Sequence, residues 1–320
     1  MNHAMLDHTQ YYSKGLKLMG NRFEFSAVSP DESKAKDSIE RAIQEVQRLE
    51  TLLTTFNESS QTNQINAAAG VKPVKVDKEI FDLIDRSLKI SALTQGAFDI
   101  TYGSMDKSLW NFDVNMETLP DEATAKATIR LINYRNVILD RAEHTVFLKE
   151  KGMRIGFGGI GKGYAADCAK AVMTRAGIES GIVNAAGDLT VWGKQPSGES
   201  WTIGVADPDR KELPFASITL SDISVATSGN YEKFVTIGGR KYSHTIDPKT
   251  GFPAHGIKSV TILCRNAEIA DAMTTPVMVM GIKAGLTLIN QVRDIACIIV
   301  DDNNVVHTSK NINLKTNSQK

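Results

Sequence analysis

The sequence has no excess of charge of either sign: 37 lysines and arginines stand against 37 aspartates and glutamates. Nothing in that balance supports broad electrostatic capture of nucleic acid or of an anionic membrane. Cysteine is scarce. Cys168, Cys264 and Cys297 lie far apart and form no CxxC pair, which argues against a disulfide framework and against a structural zinc site. Their plain role is as small buried apolar residues. No apolar run reads as long enough to cross a bilayer, so no transmembrane segment is expected. The stretch "MNHAMLDHTQYYSKGLKLMG" lacks the apolar core of a signal peptide. No stretch rich in Pro, Gly or Ser divides the chain, so one compact unit or two fused lobes is expected.

What is present is the composition of a globular protein, 42% hydrophobic and 23% charged. Residues 21–28 alternate as a strand, and 29–56 repeat apolar residues at helical spacing: Ile39, Ala42, Ile43, Val46, Leu49, Leu52, Leu53. Residues 57–70 are polar and rich in turn formers. Helices are expected at 77–96 and 121–132, and strands at 136–140, 145–149 and 154–158. A helix over 164–177 follows a glycine-rich bend. Strands are expected at 181–187, 189–193, 201–207, 215–221, 224–229 and 258–264. A hairpin is expected over 232–247, turned at Gly238-Gly239, with a helix from 266 to 281 and a terminal hairpin from 296. Long helices between antiparallel-looking strands, without regular alternation, predict α+β rather than doubly wound α/β.

The bend "IGFGGIGKGYAAD" nearly fits two phosphate-binding signatures. A P-loop fails because Gly163, not Ser or Thr, follows Lys162. A dinucleotide turn lacks its ribose-binding acid, since Asn184-Ala185-Ala186-Gly187 ends the next strand. What remains is a helix N-terminus with free N–H groups, a place for phosphate, or a tight connection with no ligand.

The stretches "LMGNRFEF", "TTFNESSQTNQINAAAG", "TQGAFDITYG", "GGIGKGYAAD", "NAAGDLTVWG", "ATSGNYEKF", "YSHTIDPKTGFPA" and "ADAMTTPVMVMG" occur in this order. Together they resemble the ApbE family of magnesium-dependent FAD:protein FMN transferases, from about Leu18 to about Asp301. The resemblance implies an α+β fold of two intertwined T-fold-like halves with FAD bound between them. It implies one such domain over 18–310, an N-terminal extension over 1–17 of tag-derived or disordered character, and a tail over 311–320. It also implies an activity: FMN passes from FAD to a Thr or Ser hydroxyl of an acceptor flavoprotein subunit, and AMP leaves. A FAD pyrophosphatase giving free FMN, or a non-catalytic FAD-binding protein, are the alternatives. An NAD-dependent oxidoreductase rests on the glycines alone.

Asp271 and Thr275 stand at i, i+4, on one face of a helical turn, and both are hard oxygen donors suited to Mg²⁺. The resemblance adds the backbone carbonyl of Gly159 as a third ligand. The plain alternative for Asp271 is a helix cap. His244 is the expected general base, with Asp247 able to orient it and His255 as second choice. By resemblance Met19, Phe56, Ala97, Phe98, Asp99, Gly156 and Ile246 contact FAD; for Met19, Phe56 and Phe98 the plain alternative is core packing. Phe56 stands where many members have Tyr, Gly156 where many have Asp, and Thr274 where some have a further acid. Lys162 is expected to neutralise a phosphate or to be a solvated charge in the helix's first turn. The family's acceptor signature D-x-x-[ST]-G-A-[ST] does not occur in this chain, so its acceptor is expected to be another protein. The resemblance places a chain whose leader has been removed in the cell envelope, on the periplasmic side, with the cytoplasm as the alternative.

Overall fold

The computed structural model describes residues 9–106, 118–206, 214–229, 234–237, 240–243 and 245–312. The chain begins with a hairpin, β1 (Gln10–Leu18) and β2 (Asn21–Ser29), turned at Met19 and Gly20, which both have positive φ. On β2, Phe23, Phe25 and Ala27 are fully buried on one face, as a period of two requires. Helix α1 (Glu32–Leu53) is capped by the Asp31 side chain and buries the predicted apolar stripe. Next come α2 (Gln61–Ala67), β3 (Val74–Lys75) and α3 (Lys78–Leu93). A 3₁₀ turn (Ile100–Ser104) and α4 (Glu122–Thr128) lead to β4 (Val137–Asp140) and β5 (Thr145–Leu148). Helix α5 (Gly161–Arg175) then precedes β6 (Ser180–Ala185) and β7 (Asp188–Trp192).

Two hairpin strands, β8 (Trp201–Ala206) and β9 (Pro214–Leu220), precede β10 (Ile223–Gly229). The strands β11 (Phe234–Ile237) and β12 (Arg240–Ser243) pair with each other; their turn residues Gly238 and Gly239 lie outside the described residues. The chain closes with β13 (Ile257–Cys264), α6 (Ala267–Ile289), β14 (Ile295–Asp301) and β15 (Val306–Thr308). One eight-stranded sheet, ordered β1-β2-β6-β7-β10-β13-β14-β15, organises the molecule, and every neighbouring pair in it is antiparallel. Helices α1, α5 and α6 pack on one another and on this sheet, and the main core lies between. The expected α+β class is the observed one.

Four local expectations change. Residues 10–17, expected in an extension of tag-derived or disordered character, form strand β1 on the edge of the sheet. The polar run 57–70 contains α2, capped by Ser60. Residues 154–158 form no strand. Their backbone bonds go instead to the Asn66 side chain, the Ser104 hydroxyl and the Ile100 carbonyl. The end of the glycine bend, Gly161 to Gly163, is the first turn of α5, which begins at Gly161 rather than at 164.

Helix α6 alone among the described residues is long and apolar enough to cross a membrane, where the sequence suggested no such run. It packs against β10, β13 and α5, and Gly281 breaks its helical geometry. Cys264 and Cys297 are buried and Cys168 half-buried, all three as free thiols.

Candidate active site

A cleft of about 1030 Å³ opens where the C-terminal end of α1, the N-terminal end of α5 and the Thr275 turn of α6 meet the loops after α3 and before β13. Its wall includes Met19, Phe56, Ala97, Phe98, Asp99, Gly156, Gly159, Lys162, Ile246 and Thr275. Residues from six separate stretches, named above as flavin or metal contacts, therefore line one space. Asp271 lies just behind that wall. Its Oδ2 accepts the Gly163 N–H at 3.0 Å and its Oδ1 is 3.5 Å from the Lys162 ammonium.

The glycines of the bend have different reasons to be there. A Cβ on Gly163 would lie 2.1 Å from the Ala267 carbonyl oxygen and 2.8 Å from Asp271 Cβ. Glycine at 163 is thus what lets α5 approach α6 and put its N–H on Asp271. A Cβ on Gly158 would meet nothing within 4 Å. On Gly156 it would meet only the Thr55 methyl at 3.8 Å, so a larger side chain fits into the cleft there.

Asp271 is 5% exposed and lies inside α6, whose cap residue is Asn266; it is not a helix cap. The N-terminal amides of α6 are held from outside, by Asp167 of α5, which accepts from Ala267 and Glu268 at 3.0 and 2.9 Å. Burial pushes the Asp167 carboxyl up, against those two hydrogen bonds. Arg86 of α3 grips Glu268 with two hydrogen bonds, at 2.6 and 3.0 Å. These contacts fix where the turn carrying Asp271 and Thr275 points. Thr274 faces inward: its hydroxyl bonds the Asp271 carbonyl and Ser228 at 2.8 Å each.

Lys162 is neither solvated nor a free cation. Its ammonium touches Asp188 Oδ2 and lies near Asp271. Burial lowers its pKa, but the Asp271 and Asp188 carboxylates outweigh burial and hold it above the ordinary lysine value. Burial, then the neighbouring Asp271 charge, pushes the Asp188 carboxyl up; Lys162 opposes both. Asp188 was not singled out by spacing or resemblance, although it stands in the quoted "NAAGDLTVWG".

Phe56 is 98% exposed, so core packing does not explain it. Phe98, 6% exposed, serves both core and cleft. Asp99 caps the 3₁₀ turn: its carboxylate accepts from Thr101 N, Thr101 Oγ1 and Tyr134 N at 2.8, 2.6 and 2.9 Å. Burial holds its pKa above the ordinary value, and those bonds oppose burial only in part. Tyr102 Oη accepts the Ile246 N–H at 3.3 Å and ties the 245–252 loop to this wall. His244 lies outside the described residues; its neighbours Thr245, Ile246 and Pro248 line the cleft. Asp247 accepts from Lys249 N and Thr250 Oγ1, shaping the turn around Pro248. His255 is exposed. His307 pairs with Asp301 at 2.9 Å and His144 packs against Phe81, both away from the cleft.

Comparison with known proteins identifies the family and the fold. The family model of the ApbE family matches residues 19–299. The chain is 32% identical over 301 residues to the FAD:protein FMN transferase of Klebsiella pneumoniae (strain 342), covering 93% of this chain and 92% of that protein. It is similar to the crystal structure of the ApbE protein from Thermotoga maritima, with a TM-score of 0.83, 30% identity, and 94% and 97% of the two chains covered. It is also similar to the Pseudomonas stutzeri flavinyl transferase ApbE in its apo form, with a TM-score of 0.82, 25% identity, and 94% and 95% covered. With nearly the whole chain matched, in sequence and in fold, this protein belongs to the ApbE family.

Proposed function

We propose that the protein transfers FMN from FAD to a Thr or Ser hydroxyl of an acceptor flavoprotein, releasing AMP. The observation that carries this reading is the convergence of the residues named above on one cleft. Its apolar and aromatic wall, Met19, Phe56, Phe98 and Ile246, lies beside an oxygen-rich end formed by Thr275, Gly159 and, behind them, Asp271. A flat heterocycle suits the first part and a diphosphate suits the second. Asp271, Thr275 and the Gly159 carbonyl would hold Mg²⁺. The donor set fits: all are hard oxygens, and Thr275 and Gly159 face the cleft. Bound there, Mg²⁺ would neutralise charge on the diphosphate.

The acceptor's hydroxyl oxygen attacks the phosphorus of the FMN half, the pyrophosphate P–O bond breaks, and AMP departs with the bridging oxygen. The chain's own tasks are to orient the diphosphate and to take the hydroxyl proton. His244, next in sequence to cleft residues Thr245 and Ile246, is the base in this scheme. The acceptor would carry D-x-x-[ST]-G-A-[ST].

The test is incubation with FAD and Mg²⁺, with and without such an acceptor, followed by assay of AMP, free FMN and protein-bound FMN. Bound FMN with stoichiometric AMP supports transfer; free FMN alone supports a pyrophosphatase; neither product overturns catalysis. His244→Ala should lose about 10²–10⁴-fold in transfer rate with FAD binding retained. A wild-type rate in that variant removes His244 as the base and brings His255 forward.

A further inference from the structure

Asp188 has no part in the scheme above, yet it is 4% exposed and shares the Lys162 ammonium with the carboxylate assigned to the metal. It begins β7 directly after a turn in which Ala186 and Gly187 have positive φ, and Gly187 N–H bonds Asn184 Oδ1 at 2.8 Å. Its Oδ1 accepts the Thr227 N–H of β10 at 3.3 Å. Two strands thus fix Asp188, and its other oxygen, Oδ2, receives the Lys162 ammonium.

The ammonium is shared unequally. It is in close contact with Asp188, whereas Asp271 Oδ1 is 3.5 Å away, at the limit of a hydrogen bond. Asp271 Oδ2 is already on the Gly163 N–H. Oδ1 is therefore the oxygen left for a cation, and Lys162, the lysine near it among the described residues, is drawn aside. An ammonium and a divalent ion seeking the same carboxylate oxygen compete, because each favours that oxygen by its own charge.

We propose that Asp188 is a positioning residue that draws Lys162 away from Asp271 and so keeps the Asp271 carboxylate open to a divalent cation. The proposal rests on the metal reading given above. Groups that act on a metal through its ligands typically change affinity 10- to 100-fold, and Asp188 acts through Lys162 on Asp271. A purely structural salt bridge between β7 and α5 would behave differently. Its loss would lower the melting temperature, and removing the second partner would not restore metal binding.

The experiment is calorimetric titration of the purified full chain with Mg²⁺, without FAD, with Mn²⁺ followed by electron paramagnetic resonance as a second probe. Asp188→Asn, which keeps the acceptor for Thr227 N–H, should weaken Mg²⁺ binding about 10- to 100-fold. Lys162→Met/Asp188→Asn, with no ammonium to compete, should bind more tightly than Asp188→Asn alone. Lys162→Met should bind at least as tightly as wild type, and this arm stands even if Asp188→Asn does not fold. An unchanged Kd in Asp188→Asn, a double variant as weak as the single one, or weaker binding in Lys162→Met each overturns the proposal. A wild-type chain that binds neither ion overturns the metal reading and this inference with it.

Discussion

The inner end of the cleft and its mouth are built by opposite means. At the inner end Asp271 is 5% exposed, and the groups around it come from α5, α6, β7 and β10. The contacts there join residues distant in the chain, 26 positions apart for Lys162 and Asp188 and 108 for Gly163 and Asp271. At the mouth Phe56 is 98% exposed. Its loop is held by its own neighbours: Phe56 N–H bonds Thr54 Oγ1, Asn63 Nδ2 bonds the Thr55 and Asn57 carbonyls, and Ser60 Oγ bonds the Thr54 carbonyl. A change at the inner end should therefore disturb chemistry and packing together, whereas a change at the mouth should disturb ligand binding alone.

The sharpest test of that contrast is Asp271→Ala. Losing the one carboxylate assigned to the metal should cost several kcal/mol of transition-state stabilisation, on the order of 10²–10³-fold in AMP release. Wild-type activity should vanish in EDTA and return with Mg²⁺; full activity in EDTA would sink the assignment. Next comes Gly163→Ala. The added methyl meets the Ala267 carbonyl, so α5 and α6 must part, costing about 1–3 kcal/mol. Its melting temperature and its AMP release should fall together. Gly158→Ala, with open space around the new atom, should leave the melting temperature near wild type. Equal melting temperatures for the two variants would break the account of the bend.

At the mouth, Phe56→Ala should weaken FAD binding by about 0.5–1.5 kcal/mol, the typical value of an aromatic pair beyond its buried area. Its melting temperature should not move, because the ring buries almost nothing in the folded chain. A drop in stability would show that the mouth is structural after all.

The smallest effect lies away from the cleft. Hydrogen bonds from Arg48 hold Glu79 below its ordinary pKa, and burial opposes them only in part. A depressed folded pKa stabilises above the unfolded value and loses that contribution as pH falls through the folded one. Arg48→Met should thus lower stability by no more than about 1 kcal/mol near neutral pH, given the exposure of the arginine. The difference from wild type should shrink on acidification, as thermal melts across the acid range would show.

Much of the fold was readable because burial imprints a period. Helix α1 and strand β2 carry apolar residues at helical and strand spacing, and both formed where expected. Strand β1 left only a faint imprint. It lies on the sheet's edge with most side chains in water, and Lys14 interrupts the one face that Tyr12, Leu16 and Leu18 turn to the core. Helix α2 is seven residues long, too short for periodicity, and only the Ser60 cap announces it. Around Ile155 side chains take the backbone hydrogen bonds in place of a partner strand.

The candidate site divides in the same way. The chain's own order of residues determined the donor types, a carboxylate at 271 and a hydroxyl at 275 one helical turn apart, and the ring at 56. Only the tertiary structure decided which of them meet. Asp188, Lys162 and Asp271 come from three elements separated by many residues, and no local pattern records their approach. Whether Lys162 is solvated, bound to phosphate or held between carboxylates depends on the charges beside it and on its burial. Both arise from helix α5 closing on α6 across a missing side chain at Gly163, a proximity that chain connectivity alone does not specify.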